Sequence, residues 1–311
     1  MTAERRPSRA RSAAARLGRV GAWSFGLDGL PVAEAVKVAR AVEDLGFGSL
    51  WIAEGTASRE ALSHAAVLLC ATSRLVVGTG IASIWARDPT AMAAGSRTLA
   101  DAFPGRFILG MGVSHAGAVG RRGHEYSPRP LSRMREYLDA MDGAPLSSPV
   151  PDPPATRVLA ALRTRMLELA AQRTDGVHSY FVPVAHTHRA RAAIGPDALL
   201  VTEQAAVPER DPRTARAIAR AHTSHYLARD NYRENLRSLG IPGAELEDGG
   251  SDGVIDALVA WGELGAIGAR VQEHLDAGAD HVVLQPLGAA TSAKEAIEQF
   301  ILLAAVLGRI H

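Results

Sequence analysis

The chain has one cysteine in 311 residues, few aromatics at 5%, and no apolar run near the length of a bilayer. A lone Cys70 forms no internal disulfide, so a reducing, cytoplasmic setting is expected. The longest apolar stretches, such as Phe300 to Leu307, fall well short of the ~20 residues that cross a membrane. Net charge is also scarce: 34 Lys and Arg stand against 33 Asp and Glu, a formal balance of +1. That balance gives no general electrostatic case for nucleic acid or an acidic membrane surface, so neither is expected as a partner. No G-x-G-x-x-G follows a strand, no G-x-x-x-x-G-K-[ST] occurs, and no strand runs into a G-x-S-x-G elbow. Rossmann, P-loop and α/β-hydrolase readings therefore drop.

What is present is a globular composition with 47% hydrophobic residues, enough for a large core. Eight short β-rich runs alternate with amphipathic stretches: Arg19 to Phe25, Ser49 to Glu54, Leu75 to Ile81, Arg106 to Val113, Arg157 to Leu162, Gly176 to Val182, Leu199 to Val207 and His281 to Leu287. After Pro31, the apolar residues Val32, Ala35, Val36, Ala39, Val42 and Leu45 share one helical face, and Gly46 can end that helix in a left-handed turn. Asp88 and Pro89 read as N-cap and first residue of another helix. The pattern fits a closed (β/α)8 barrel or an open doubly wound sheet. Two segments break the rhythm. Ala144 to Ala155 holds five prolines and reads as an extended connection, while Asp211 to Gly265 is a long helical insertion, expected to cover a pocket or join subunits. Residues Met1 to Arg16, rich in arginine, read as a disordered basic tail with no signal sequence, leaving one domain over 17–311.

In a barrel, side chains at the carboxyl ends of the strands carry the chemistry. Those ends offer Trp23 and Ser24, then Glu54, Ser83 and Trp85, Ser114 and His115, and later Arg163, His178, Tyr180, Glu203, Gln204 and Gln285. Singly, each has a bland alternative: Trp23, Trp85 and Tyr126 could be packing rather than the walls of a substrate pocket, and Glu54 a turn acid. The glycines at 78 and 80 in LVVGTGI mark a bulge or the close approach of a ligand. Metal chemistry finds little support. His186 and His188 are spaced i, i+2, which on a helix do not share a face, and His222 with His225 lacks a carboxylate cluster.

At LVVGTGIASIWARDP and RFILGMGVSH the sequence resembles the bacterial luciferase-like family, and within it the branch using the deazaflavin coenzyme F420. The likeness runs from about Leu17 to Gly288 and implies the closed barrel. It implies an oxidoreductase that moves a hydride between F420 and a small organic substrate, reducing an activated C=C or C=N bond or oxidising an alcohol. An FMN-dependent monooxygenase and a non-catalytic cofactor-binding or assembly protein are the alternatives. By match with the family, the Gly80-Ile81 bond is cis and forms a shelf for the cofactor ring, with Ser83, Gly112, Ser114 and His178 around it. Arg163 and Thr164 stand where relatives place a glycine-rich turn for the cofactor phosphate; a guanidinium and a hydroxyl can also bind phosphate. His115 takes the position of an acid-base residue, with an ordinary pKa of ~6.5 suited to proton transfer near neutrality. Capping of its own loop is the other role open to it. Glu54 is the second catalytic candidate. A homodimer is expected.

Overall fold

The structure, a computed structural model, describes residues 5–310. Ten strands run in chain order: β1 Val20–Ser24, β2 Ser49–Ile52, β3 Val76–Thr79, β4 Ala82–Ser83, β5 Phe107–Gly112, β6 Thr156–Ala160, β7 Gly176–Ser179, β8 Leu199–Val207, β9 Val259–Trp261 and β10 His281–Pro286. Every pairing is parallel. The sheet runs β10-β1-β2-β3-β5-β6-β7-β8, and β8 pairs back onto β10 from His281↔Val201 to Pro286↔Ala206, closing a (β/α)8 barrel. All eight expected runs contain a barrel strand. The open-sheet alternative is excluded by the β8–β10 ladder. Two short strands are extra: β4 continues the third strand beside β5, and β9 lies against the end of β8.

Parallel strands covered on both faces need apolar side chains on both. Inward, Trp23, Trp51, Val76, Ile108, Val158, Val201 and Val283 fill the barrel; outward, residues such as Leu50, Val77, Leu109 and Leu284 meet the helices. One polar chain is sealed inside. Trp51 Nε1–H donates to Ser49 Oγ at 2.9 Å, Ser49 Oγ lies 2.7 Å from His281 Nε2, and His281 Nδ1 reaches the Gly18 carbonyl at 2.8 Å. Gly21 leaves the room for it, since a Cβ there would lie 2.1 Å from Ser49 Oγ.

The first helix after Pro31 spans Val32–Asp44 and buries Ala35, Val38, Ala39 and Val42. Val32 is exposed, so the buried stripe lies slightly round from the face expected. Gly46 follows with φ +90, the left-handed stop anticipated. Asp88 caps the helix Pro89–Ala102, accepting from Ala91 N–H at 2.9 Å. No helix or strand lies between Asp142 and Thr156, the proline-rich connection.

The amino-terminal expectation needs correction. Met1–Glu4 lie outside the described residues, but Arg5–Leu17 is a helix, not a disordered tail. Ala10, Ala13 and Leu17, at i, i+3 and i+7, are buried among the inward-facing core residues. Arg9 is held by Asp175 through Nε at 2.7 Å and Nη2 at 2.5 Å, with the carboxylate side chain fully buried. Arginine content suggested a solvated tail, whereas the small apolar stripe between the arginines packs against the barrel.

The insertion carries the helices Pro212–Leu227, Asp230–Arg237 and Asp252–Leu258 and has its own apolar cluster. Gln204 faces outward to anchor it: Nε2 donates to the Leu258 carbonyl at 3.1 Å, while Oε1 pairs with His274 Nε2 at 2.9 Å. The string Gly249 to Gly253 matches G-x-S-x-G, but it lies in this insertion, where Ser251 caps a helix. Among the described residues no helix is long and apolar enough to cross a membrane.

Candidate active site

A cavity of about 580 Å³ opens at the carboxyl ends of the strands. Its floor is the turn after β3, where the Gly80-Ile81 peptide is cis, as the resemblance implies. Gly80 is tightly enclosed: a Cβ there would lie 3.0 Å from both Trp23 Nε1 and His178 Nε2. Both nitrogens are buried and neither has a hydrogen-bond partner. Buried polar atoms are nearly always paired, so two of them facing one glycine mark a place built for something else. Burial pushes the His178 imidazole down to about 3, so it stays neutral, stacked on Trp51 at 4.9 Å between centroids. Across the shelf, a Cβ on Gly112 would lie 2.8 Å from Ile81 Cγ1. Ser114 follows at φ +57, a left-handed conformation uncommon for a residue other than glycine, and turns the chain so that His115 enters the cavity.

Glu54 lines the cavity but is fully engaged. Oε1 accepts from Ala61 N–H at 3.2 Å and from the Arg87 guanidinium, and Oε2 accepts from Ser83 N–H at 2.8 Å. It ties the β2 end to the segment after the cis bond, which suits it to supporting the shelf rather than delivering protons. Ser83 is spent in the same knot, because its Oγ accepts from Trp85 N–H at 3.2 Å and it does not reach the cavity. Trp85 stands behind the wall, donating Nε1–H to the Val113 carbonyl at 2.9 Å with its ring 6.3 Å from that of Tyr126. Tyr126 and Trp23 line the cavity. Arg163 does so at the start of the helix Thr164–Arg173, whereas Thr164 is exposed outside it.

His115 departs from the near-neutral titration expected of it. Burial, then the positive charge of Arg229, pushes its pKa down to about 4, against a bond to Asn231 that raises it. In the free protein it is a neutral imidazole at physiological pH. Although His115 occupies the N-cap position of the short helix Ala116–Arg121, its side chain makes no capping bond.

The opposite wall comes from the insertion: His225, Tyr226, Arg229, Asn231 and Tyr232. Tyr226 Oη lies 2.9 Å from Tyr180 Oη, which is 2.9 Å from Gln285 Oε1. Burial raises both phenols well above their ordinary range, so they are hydrogen-bonding hydroxyls. Four of the five tyrosines in the chain line this one cavity. That concentration in a sequence poor in aromatics, and the dense string His222 to Tyr232, were the available signals for the wall. Below the tyrosines Glu203 is buried, with Oε2 accepting from Phe181 N–H at 3.1 Å and Oε1 unpartnered. Among the described residues no three His, Cys, Asp or Glu side chains gather as a metal site.

The fold is thus a closed parallel (β/α)8 barrel with its main cavity at the carboxyl ends of the strands and a helical insertion beside it. The luciferase-like monooxygenase family profile matches residues 14–281, and the chain belongs to that family. A Mycobacterium tuberculosis protein provisionally named as a coenzyme F420-dependent oxidoreductase is 33% identical over 162 residues, 51% of this chain and 44% of that protein. The match thus spans less than half of that relative. Among solved structures, an F420-dependent secondary alcohol dehydrogenase in complex with an F420-acetone adduct superposes with a TM-score of 0.72 at 16% identity, over 93% of this chain and 98% of that one. The oxygenating constituent of 3,6-diketocamphane monooxygenase from Pseudomonas putida, a type II Baeyer-Villiger enzyme in complex with FMN, gives 0.71 at 13% identity, over 94% and 98%. At these identities the likeness is one of fold.

Proposed function

We propose that the chain is an F420-dependent oxidoreductase acting on a small organic substrate. The observation that carries this reading is the shelf: Gly80 and Gly112, where a Cβ would crowd Trp23, His178 and Ile81, with the orphaned Trp23 Nε1 and His178 Nε2 against the first of them. A planar ring with polar edges is the kind of group such a cradle fits. The charge of the cavity agrees. Arg121, Arg163 and Arg229 line it against two carboxylates, Asp28 and Glu54, the second of which is paired with Arg87. The surplus is cationic, as a phosphate-bearing cofactor requires.

When bound, the deazaflavin supplies a ring carbon that gives or takes a hydride and reacts poorly with oxygen. The protein does the rest. Gly80, Ile81 and Gly112 would support the ring, Trp23 and His178 would meet its polar edge, and Arg163 at the helix start would hold the phosphate. The tyrosine wall and the insertion exclude water and orient the substrate. His115, neutral and bonded to Asn231, lines the cavity and is the side chain we assign to proton handling.

Fluorescence titration tests the reading. F420 should bind more tightly than FMN, and Gly80→Ala should weaken binding of both because its Cβ would press on the Trp23 and His178 rings. Tighter binding of FMN would shift the assignment to oxygen-dependent monooxygenation on the same fold. Wild-type affinity in Gly80→Ala would remove the shelf as the cofactor site.

A further inference from the structure

We infer that Arg229, reaching into the cavity from the insertion, is the seat of an anionic group, a carboxylate or phosphate, on the substrate. The inference rests on the oxidoreductase reading for the word substrate, not for the anion site. Arg216, Arg220, Arg233 and Arg237, four other arginines of the insertion, each pair with an aspartate or glutamate. Arg229 has no such partner among the described residues. It is held instead by neutral groups. Nη2 lies 2.7 Å from His225 Nε2, and the guanidinium carbon sits 5.1 Å from the Tyr226 ring centroid. These contacts hold the half-buried guanidinium against the cavity wall and leave it without an acidic partner, so an anionic ligand can meet it there.

The neighbours fit the same reading. Arg229 depresses both His115 and His225, a repulsion that an anion would relieve. Tyr232 lies 5.5 Å from the His115 ring and 5.2 Å from Tyr226, and Asn231 faces the same space. The chemistry selected is therefore an apolar or aromatic body with one negatively charged end. Arg163 on another wall is left for the cofactor phosphate.

Benzoate and benzamide, similar in shape and different in charge, are the probes, titrated into free and F420-loaded protein by ligand-observed NMR. Benzoate should saturate and bind about tenfold or more tighter than benzamide, the scale of one charge-assisted contact. Arg229→Gln should erase that preference, Arg229→Lys should retain most of it, and F420 affinity should be unchanged in both. Equal affinities for the two probes, no saturable benzoate binding, or a preference that survives Arg229→Gln would overturn the proposal. So would a tenfold loss of F420 affinity in Arg229→Gln, which would give the guanidinium to the cofactor. Failure of F420 to bind with the benzoate preference intact would instead overturn the proposed function and leave the anion seat standing.

Discussion

Glu203 should make the barrel less stable as pH rises, and replacing it by glutamine should remove that slope. The carboxyl is buried below the tyrosine wall, one oxygen accepting from Phe181 N–H and the other without a partner. Burial raises its pKa from 4.5 to about 8, so at neutral pH the folded chain keeps a proton that the unfolded chain has released. A group with a raised native pKa contributes stability that is full below its unfolded pKa and lost as pH climbs through the folded one. Each pKa unit is worth about 1.4 kcal/mol, so the amplitude between acid and pH above about 8 is on the order of 5 kcal/mol. The amide of Glu203→Gln can still accept from Phe181 N–H and carries no titration. Urea unfolding of both proteins at a series of pH values measures the difference. The variant should gain on the wild type by about 1 kcal/mol per pH unit between roughly pH 5 and 7.5 and then level off. Parallel profiles would show that the carboxylate is solvated or paired in the native state, and the argument would fail.

His178 and His274 are pushed down to about 3, and His186 and His281 to about 4, in each case chiefly by burial. Native pKa values below the unfolded ~6.5 mean that their share of stability is present above that value and lost as pH falls through it, so unfolding midpoints should drop steeply below about pH 6. Together with Glu203 this places the stability maximum at about pH 7; a midpoint flat from pH 6.5 to 5 would contradict it. Arg163→Ala should weaken F420 binding and reduce its salt sensitivity, because one charged phosphate contact is lost. Unchanged affinity across salt would show that the turn does not hold the phosphate.

The barrel was legible because its strands obey a simple rule. A run such as HVVLQP, covered on both faces, is apolar throughout and bounded by a turn residue, here Gly278 at φ +100. At the amino terminus the arginines mask a short small-residue stripe, Ala10, Ala13 and Leu17, that buries against the barrel. Motif matching located the cis peptide, since Gly80 and Ile81 directly follow β3. It could not tell which neighbouring side chains face the cavity. Ser83 and Trp85 are drawn away by hydrogen bonds to the main chain, and Glu54 is consumed by Arg87. The state of His115 was least accessible of all, because it depends on Arg229, remote in sequence and brought beside it only by the folding of the insertion. Periodicity can announce that an insertion exists and is helical. It cannot say that the loop joining Leu227 to Asp230 sets an unpaired guanidinium over the end of the fifth strand, and it is there that the substrate preference of this barrel would be decided.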